Sequence, residues 1–143
     1  MLHRLNIQYF ISYLGIIPFL FIIIDKYFLF QIDNKLYQDF IIYYSVVIIV
    51  FIGATNWNLQ EKIDNFIVIY GFSPSLFSLV IIILNLYKFN FFVLFILLNL
   101  FFLYQLILDY FFIYSKRYEK KIFYFLRLPL TFKIIISLSI IVL

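Results

Sequence analysis

Five long apolar runs constrain this chain more than any other feature. They lie at about residues 5–24, 40–59, 66–86, 91–114 and 123–143. A helix of about 20 apolar residues crosses the hydrocarbon core of a bilayer, whereas membrane β-strands alternate in polarity over pieces of about 10 residues. The sequence therefore predicts an all-α integral membrane helical bundle of five transmembrane helices, in a single domain that covers residues 1–143.

The composition indicates that lipid is the main solvent of this chain. Hydrophobic residues make up 66% of the sequence and charged residues only 13%. A soluble domain has about 45–50% apolar and roughly 25% charged residues. Too few charges are present to cover a surface that faces water.

The first run and the connections need separate interpretation. Gly15 and Pro18 predict a kink in the first helix. The run is read as a retained helix rather than a signal peptide, because no small-residue cleavage site precedes Asp25. If it lay in the membrane interface instead, four spans would remain. Asp25–Asp39 is predicted as the longest polar connection, and a short turn at Lys88–Asn90 predicts an antiparallel hairpin of the third and fourth helices.

The basic residues between the runs predict the orientation. With five spans, one side of the membrane holds six Lys and Arg residues and the other holds three. Because loops on the cytoplasmic or matrix side are enriched in Lys and Arg, the N-terminus is predicted inside. The six are Arg4, Lys62, Lys116, Arg117, Lys120 and Lys121, and the three are Lys26, Lys35 and Lys88.

Asp109 and Arg127 are predicted to form an ion pair. They stand at similar distances on either side of the Ser115–Lys121 loop, so antiparallel helices bring them to similar depth. An unpaired charge there costs at least about 2.5–3.5 kcal/mol. A separation beyond about 6 Å would contradict the pair. It serves either as a structural tie between two helices or as part of a proton or substrate path, and its place near the interface favours the tie.

Other polar residues are predicted to contact lipid headgroups. Lys133 either snorkels to the headgroups of the inner leaflet or pairs with an acidic residue on another chain. Trp57 fits an interfacial aromatic anchor, or a headgroup contact together with Asn56 and Asn58. The predicted contacts with anionic phospholipids are Trp57, Lys116, Arg117, Lys120, Lys121 and Lys133. Close helix contacts are expected at small residues such as Gly53 and Gly71.

The sequence predicts no catalysis, no metal and no cofactor. It contains no cysteine, its one histidine is His3, and it has no glycine-rich phosphate loop. Two-residue haem or zinc ligation by His and Cys is therefore excluded. The net charge of +4 does not indicate nucleic acid, because the basic residues cluster beside apolar runs.

Five segments resemble a known family. In order and spacing they are similar to the transmembrane-protein-69-like family, small multi-pass inner-membrane proteins of mitochondria and proteobacteria whose domain has no assigned function. The segments are GIIPF (Gly15–Phe19), FIGATNWNLQ (Phe51–Gln60), YGFSPSLFSLV (Tyr70–Val80), LILDY (Leu106–Tyr110) and FYFLRLPLTFKIIISL (Phe123–Leu138). The family's motif Gly-Gly-x-x-Trp-Gly corresponds to Gly53–Asn58, where Ala54 and Asn58 replace two of the glycines. The resemblance implies an inner-membrane helical bundle and suggests no chemistry.

The expected function follows from these observations together. Phe, Tyr and Ile are abundant and Gly and Pro are scarce, as in proteins from AT-rich genomes. With the resemblance, this indicates the mitochondrial inner membrane, or alternatively the inner membrane of an AT-rich alphaproteobacterium or endosymbiont. We expect a non-catalytic accessory subunit or assembly factor of a respiratory-chain complex. The alternatives are a small transporter or lipid- or quinone-binding protein that uses Asp109, Arg127 and Lys133, and a membrane anchor of a redox enzyme.

Overall fold

The structure is a computed structural model that describes residues 9–54, 65–114, 120 and 123–142. These residues are almost entirely helical and contain no strand, so the predicted all-α class is confirmed. Five helices in this part of the chain are long and apolar enough to cross a membrane, which makes the chain a multi-pass membrane protein. In chain order they are α1 (Tyr9–Leu29), α2 (Asn34–Ala54), α3 (Asn65–Leu86), α4 (Phe91–Leu108, continued by a π-helical stretch at Asp109–Tyr114) and α5 (Phe123–Val142).

The chain divides into two compact units. Unit 1 combines the part of the chain up to Tyr37 with the part from Phe102 onwards, so it contains α1, the end of α4 and α5. Unit 2 comprises Gln38–Phe101 and contains most of α2, all of α3 and most of α4. Among the described residues, the buried charged side chains all belong to unit 1, and they are Asp25, Asp109 and Arg127.

Helix α1 is interrupted in the middle and extends further than the sequence predicts. After residues 9–14 the backbone turns at Gly15–Ile16, and the α-helix resumes at Ile17–Ile24 with Pro18 in its first turn, where a missing N–H is tolerated. The interruption lies where the sequence predicts a kink. The predicted end at residue 24 is wrong, because a π-helical turn at Asp25–Leu29 continues the helix.

Helix α2 begins at Asn34, so its predicted start at residue 40 is also wrong, and the predicted polar connection Asp25–Asp39 shrinks to residues 30–33. The carboxylate of Asp33 accepts the N–H of Lys35 at 3.3 Å, and the Asp33 carbonyl accepts the N–H of Tyr37 at 3.1 Å. A capping aspartate can start a helix ahead of its first apolar residue. The predicted end of this helix, residues 55–59, lies outside the described residues.

Helices α1 and α5 pack side by side in unit 1 and run in the same direction. Near one end, the Tyr13 hydroxyl donates a hydrogen bond to the Phe125 carbonyl at 3.1 Å. Near the other end, Nζ of Lys26 donates to the Ile141 carbonyl at 2.8 Å. Residue numbers therefore increase together along both helices. A chain that crosses a membrane five times likewise runs its first and last helices in the same direction.

In unit 2, helices α2 and α3 approach each other closely at a glycine. A Cβ atom added at Gly53 would lie 2.6 Å from Cγ of Pro74 and 2.8 Å from the carbonyl oxygen of Gly71. Small residues allow such backbone contacts between membrane helices. The predicted close contact at Gly53 and Gly71 is therefore confirmed.

Helices α3 and α4 are joined by the short turn that the sequence predicts. Lys88 takes the left-handed conformation, with φ 56°, and ends α3. Oδ1 of Asn90 then accepts the N–H of Phe92 at 2.9 Å and caps α4. Farther from the turn, the rings of Phe77 and Phe101 stack with their centroids 3.8 Å apart, as expected of an antiparallel hairpin.

We expect Gly53→Ala to lower the free energy of unfolding by about 1–3 kcal/mol, the usual cost of overpacking a tight contact. The new methyl group would have to displace the Gly71 carbonyl, which is part of a helix backbone and cannot rotate away as a side chain can. Chemical denaturation in detergent micelles measures the change. The matched control is Val47→Ile, which adds one methyl group to an exposed position of the same helix. Equal stability of the two variants would contradict the contact.

Candidate functional site

Two side chains of opposite charge meet in unit 1, where α4 ends and α5 begins. Nε of Arg127 lies 2.5 Å from Oδ2 of Asp109, and both side chains are buried. The Thr131 hydroxyl donates to the carbonyl of Arg127 at 2.9 Å, so the backbone beside the pair is held as well. The structure thus brings together the two residues that the sequence predicts as a pair. Each charge is neutralised inside the protein, as a tie between two helices requires.

Each buried charge of unit 1 stands at one end of a π-helical stretch. Asp25 begins the stretch Asp25–Leu29, Asp109 begins Asp109–Tyr114, and Arg127 ends Phe123–Arg127. A π-helical turn closes its hydrogen bonds over five residues instead of four, and such turns are frequent at functional positions. These three residues and their neighbours therefore form the candidate site.

Asp25 is the acid whose burial the sequence does not predict. Its Oδ2 accepts hydrogen bonds from the Tyr37 hydroxyl at 2.9 Å and from the N–H of Ile32 at 3.0 Å. Its carbonyl accepts the N–H of Phe30 at 2.7 Å, and Phe30 takes the left-handed conformation with φ 52°. Within the described ranges, no Lys, Arg or His lies in ion-pair contact with this carboxyl group. Asp25 therefore organises the α1–α2 turn through neutral donors.

One sequence signal points to this arrangement. The residues Tyr27–Phe30, which follow Asp25 and Lys26 directly, are all apolar or aromatic. Such a run is too hydrophobic for a loop in water and indicates that the helix continues past the two charges.

Lys26 and Tyr27 cap the C-terminal end of α5. Nζ of Lys26 donates to the Ile141 carbonyl at 2.8 Å, and the Tyr27 hydroxyl donates to the Ile140 carbonyl at 3.0 Å. The last carbonyls of a helix lack intrahelical donors and carry partial negative charge, so an ammonium group and a hydroxyl group both stabilise them. The Lys26 ammonium is thereby directed to the end of α5.

Tyr13 links α1 to the beginning of α5. Pro129 has no N–H to donate to the Phe125 carbonyl one turn earlier, and the Tyr13 hydroxyl donates to that carbonyl. The Lys133 ammonium lies 4.7 Å from the centroid of the Tyr13 ring, which is within the range of a cation–π contact. Lys133 is exposed, and no carboxylate of the described residues pairs with it. The sequence predicts no aromatic partner for this lysine.

The structure describes only some of the other predicted headgroup contacts. Lys120 is exposed and helical. The remaining ones lie outside the described residues, and they are Trp57, Lys116, Arg117 and Lys121. Their contact with lipid stays a prediction.

The arrangement of the site can hold helices in register. Asp109 and Arg127 join α4 to α5, Asp25 joins the end of α1 to the beginning of α2, and Tyr13 joins α1 to α5. Among the described residues, no group of three His, Cys, Asp or Glu side chains could hold a metal ion. Each buried charge is used in a contact between helices.

Comparison with known proteins gives one match. No curated protein and no solved structure matches the chain. The family described as "Protein of unknown function (DUF3429)" matches residues 6–143, a range that includes all five helices and the site in unit 1. The chain therefore belongs to the protein family of unknown function DUF3429.

Proposed function

We propose that this chain is a non-catalytic accessory subunit or assembly factor of a respiratory-chain complex in the mitochondrial inner membrane. The proposal rests on a chemical difference between the interior of the protein and its surface. The buried charges of unit 1 contact groups of the same chain, whereas most of the exposed side chains on the described helices are large and apolar. Such a molecule offers surface for packing rather than reactive groups.

The exterior supports a role in contact with other membrane proteins. Exposed side chains on α1, α3 and α5 are bulky, and Phe10, Ile69 and Phe125 each keep about two thirds of their surface exposed. Lipid covers such side chains, and helices of other subunits cover them equally well, because both are apolar. Small residues, which allow helices of one chain to approach closely, are scarce in the sequence as a whole.

The proposed location rests on residue usage and on resemblance. The abundance of Phe, Tyr and Ile and the scarcity of Gly and Pro suit an AT-rich organellar genome. The resemblance to the transmembrane-protein-69-like family supports an inner membrane, in a mitochondrion or in an alphaproteobacterium. The excess of Lys and Arg on one side of the membrane supports an orientation with the N-terminus in the matrix or cytoplasm.

The transporter and the lipid- or quinone-binding alternatives receive less support. They require Asp109, Arg127 and Lys133 to face one cavity that holds water or a ligand. Asp109 and Arg127 instead contact each other in a buried position, and Lys133 is exposed beside Tyr13. A paired, buried charge is the arrangement expected of a structural contact.

We expect the chain to migrate with a respiratory complex when native membranes are solubilised gently. Blue-native electrophoresis followed by mass spectrometry of the bands measures this, in two detergents of different strength. The known subunits of each complex serve as internal markers. Migration as a free small species, away from every respiratory complex, would contradict the proposal. Migration with another membrane complex would contradict the respiratory assignment alone.

A further inference from the structure

The backbone of Lys133 lies at half depth in a helix that crosses the membrane. The candidate span of α5, Phe123–Val142, is 20 residues long, and Lys133 lies in its middle. At about 1.5 Å per residue, its backbone is about 15 Å from either end of the span. The side chain is exposed on the outside of the protein. A charge inside the membrane costs free energy unless an opposite charge or a polar group pairs with it.

The ammonium group is held at a defined place. It lies over the Tyr13 ring at 4.7 Å from the centroid, and the Tyr13 hydroxyl is itself bound to the Phe125 carbonyl at 3.1 Å. The aromatic ring stabilises the cation without neutralising it. Among the described residues, no carboxylate lies within ion-pair distance of Lys133. The described residues therefore supply a fixed cation without a paired carboxylate.

Lipid phosphate reaches this ammonium group only if the bilayer deforms. A lysine side chain reaches roughly 6 Å, so the ammonium stays about 9 Å inside the hydrocarbon core even when it is extended towards the nearer edge. Phosphate groups lie outside this core. Direct contact would require the bilayer to thin locally by this amount.

A second copy of the chain does not supply the anion either. The acids of the described helices lie towards helix ends, with Asp25 at the end of α1, Asp39 near the beginning of α2 and Asp109 near the end of α4. The sequence places the other four acids between the apolar runs, and they are Asp33, Glu61, Asp64 and Glu119. The three acids within the helices are already bonded to groups of their own chain, Asp25 to Tyr37, Asp39 to Asn85 and Asp109 to Arg127.

We infer that Lys133 is the docking point for a transmembrane helix of a different protein, one that carries an Asp or Glu within the hydrocarbon core, at the depth of the Tyr13 ring. Phe132, Ile136 and Ile140 are exposed on the same side of α5, at spacings that place them one above another. They supply an apolar strip for the partner helix, with the cation at its border. This inference rests on the proposed function, since it requires a complex.

The test begins with a zero-length cross-link in native membranes. Dicyclohexylcarbodiimide activates a carboxyl group within the membrane, and an amine that lies against it attacks the acyl carbon. An amide bond forms, and the carbodiimide leaves as the urea with the oxygen and protons of the lost water. We expect mass spectrometry to find Lys133 joined to an Asp or Glu of another chain. A link to an acid of this chain would overturn the inference.

The Lys133→Met variant gives the second measurement. We expect its fraction in the native complex to fall at least about tenfold, because the partner acid then remains unpaired. The stability of the variant in micelles should match that of the wild type, which separates docking from folding. The control is Lys35→Met, which removes an exposed lysine at the beginning of α2 and should leave assembly unchanged.

The outcomes separate this inference from the proposed function. If the wild type is not part of a complex, the proposed function fails and the inference fails with it. If the wild type is assembled, but Lys133→Met assembles equally well and Lys133 forms no link, the inference alone is overturned. Loss of a bound anionic lipid from the Lys133→Met variant in native mass spectrometry, without a protein link, would also overturn it.

Discussion

Replacing Arg127 by Met should lower the free energy of unfolding by about 3–5 kcal/mol, because the substitution removes the cation that lies against the buried carboxylate of Asp109. The two groups lie 2.5 Å apart, and only 2% of the Asp109 side chain and 10% of the Arg127 side chain are exposed. A loss of this size is a large part of the stability of a typical protein, which is about 5–15 kcal/mol. Denaturation in micelles measures it, and the abundance of the variant in membranes should fall in parallel.

Two further variants make this prediction specific. Lys120→Met removes the same charge from an exposed position near the beginning of α5, and it should change the stability little. The double variant Asp109→Leu with Arg127→Met removes both charges, and it should regain most of the loss, because replacing a whole buried pair by apolar side chains is often neutral. If the double variant is less stable than Arg127→Met alone, the pair is more than a tie between two helices.

This pair could be predicted because its members flank one loop. Asp109 and Arg127 stand at similar distances from the segment Ser115–Lys121, so any antiparallel arrangement of α4 and α5 brings them to the same depth. The cost of an unpaired charge in the membrane then selects the contact between them. The hairpin of α3 and α4 is predictable for the same reason, since a turn as short as Lys88–Asn90 leaves no other arrangement.

The contacts between α1 and α5 could not be predicted in this way. Lys26 and Ile141 are 115 residues apart, and nothing in a single sequence says which distant helices become neighbours. The contact of Tyr13 is equally hard to predict, because its partner is a backbone carbonyl to which Pro129 cannot donate. Such contacts depend on tertiary packing, which a hydropathy pattern does not contain.

The sequence places Asp25 in a polar connection for a local reason. Asp25 and Lys26 follow a full-length apolar run, and two charges in this position usually mark the beginning of a loop. The structure instead continues the helix through the π-helical turn Asp25–Leu29. Phe30 follows this turn and ends the helix with a φ of 52°. A positive φ is rare for an aromatic residue, so propensity rules do not predict this turn. The hydrogen bonds that the Asp25 carboxyl group accepts from the Tyr37 hydroxyl and the N–H of Ile32 stabilise this turn.

Asp25→Leu should lower the free energy of unfolding by about 2–6 kcal/mol, because two donors lose their acceptor at about 1–3 kcal/mol each. These donors are the Tyr37 hydroxyl and the N–H of Ile32, and both bond to Oδ2 in the structure. Without them the α1–α2 turn should open. Increased proteolysis at residues 30–33 would report this opening, besides denaturation in micelles.

Asp25→Asn is the matched variant that separates the acceptor from the charge. The amide oxygen can take the place of Oδ2 and accept both hydrogen bonds, while the negative charge is lost. Since no cation of the described residues pairs with Asp25, this variant should be as stable as the wild type or more stable. Asp33→Ala, which removes an exposed helix cap in the same turn, should cost only about 1 kcal/mol. If Asp25→Asn were as damaging as Asp25→Leu, the charge itself would be essential, and Asp25 would have to face a cation or a mobile proton in the assembled membrane.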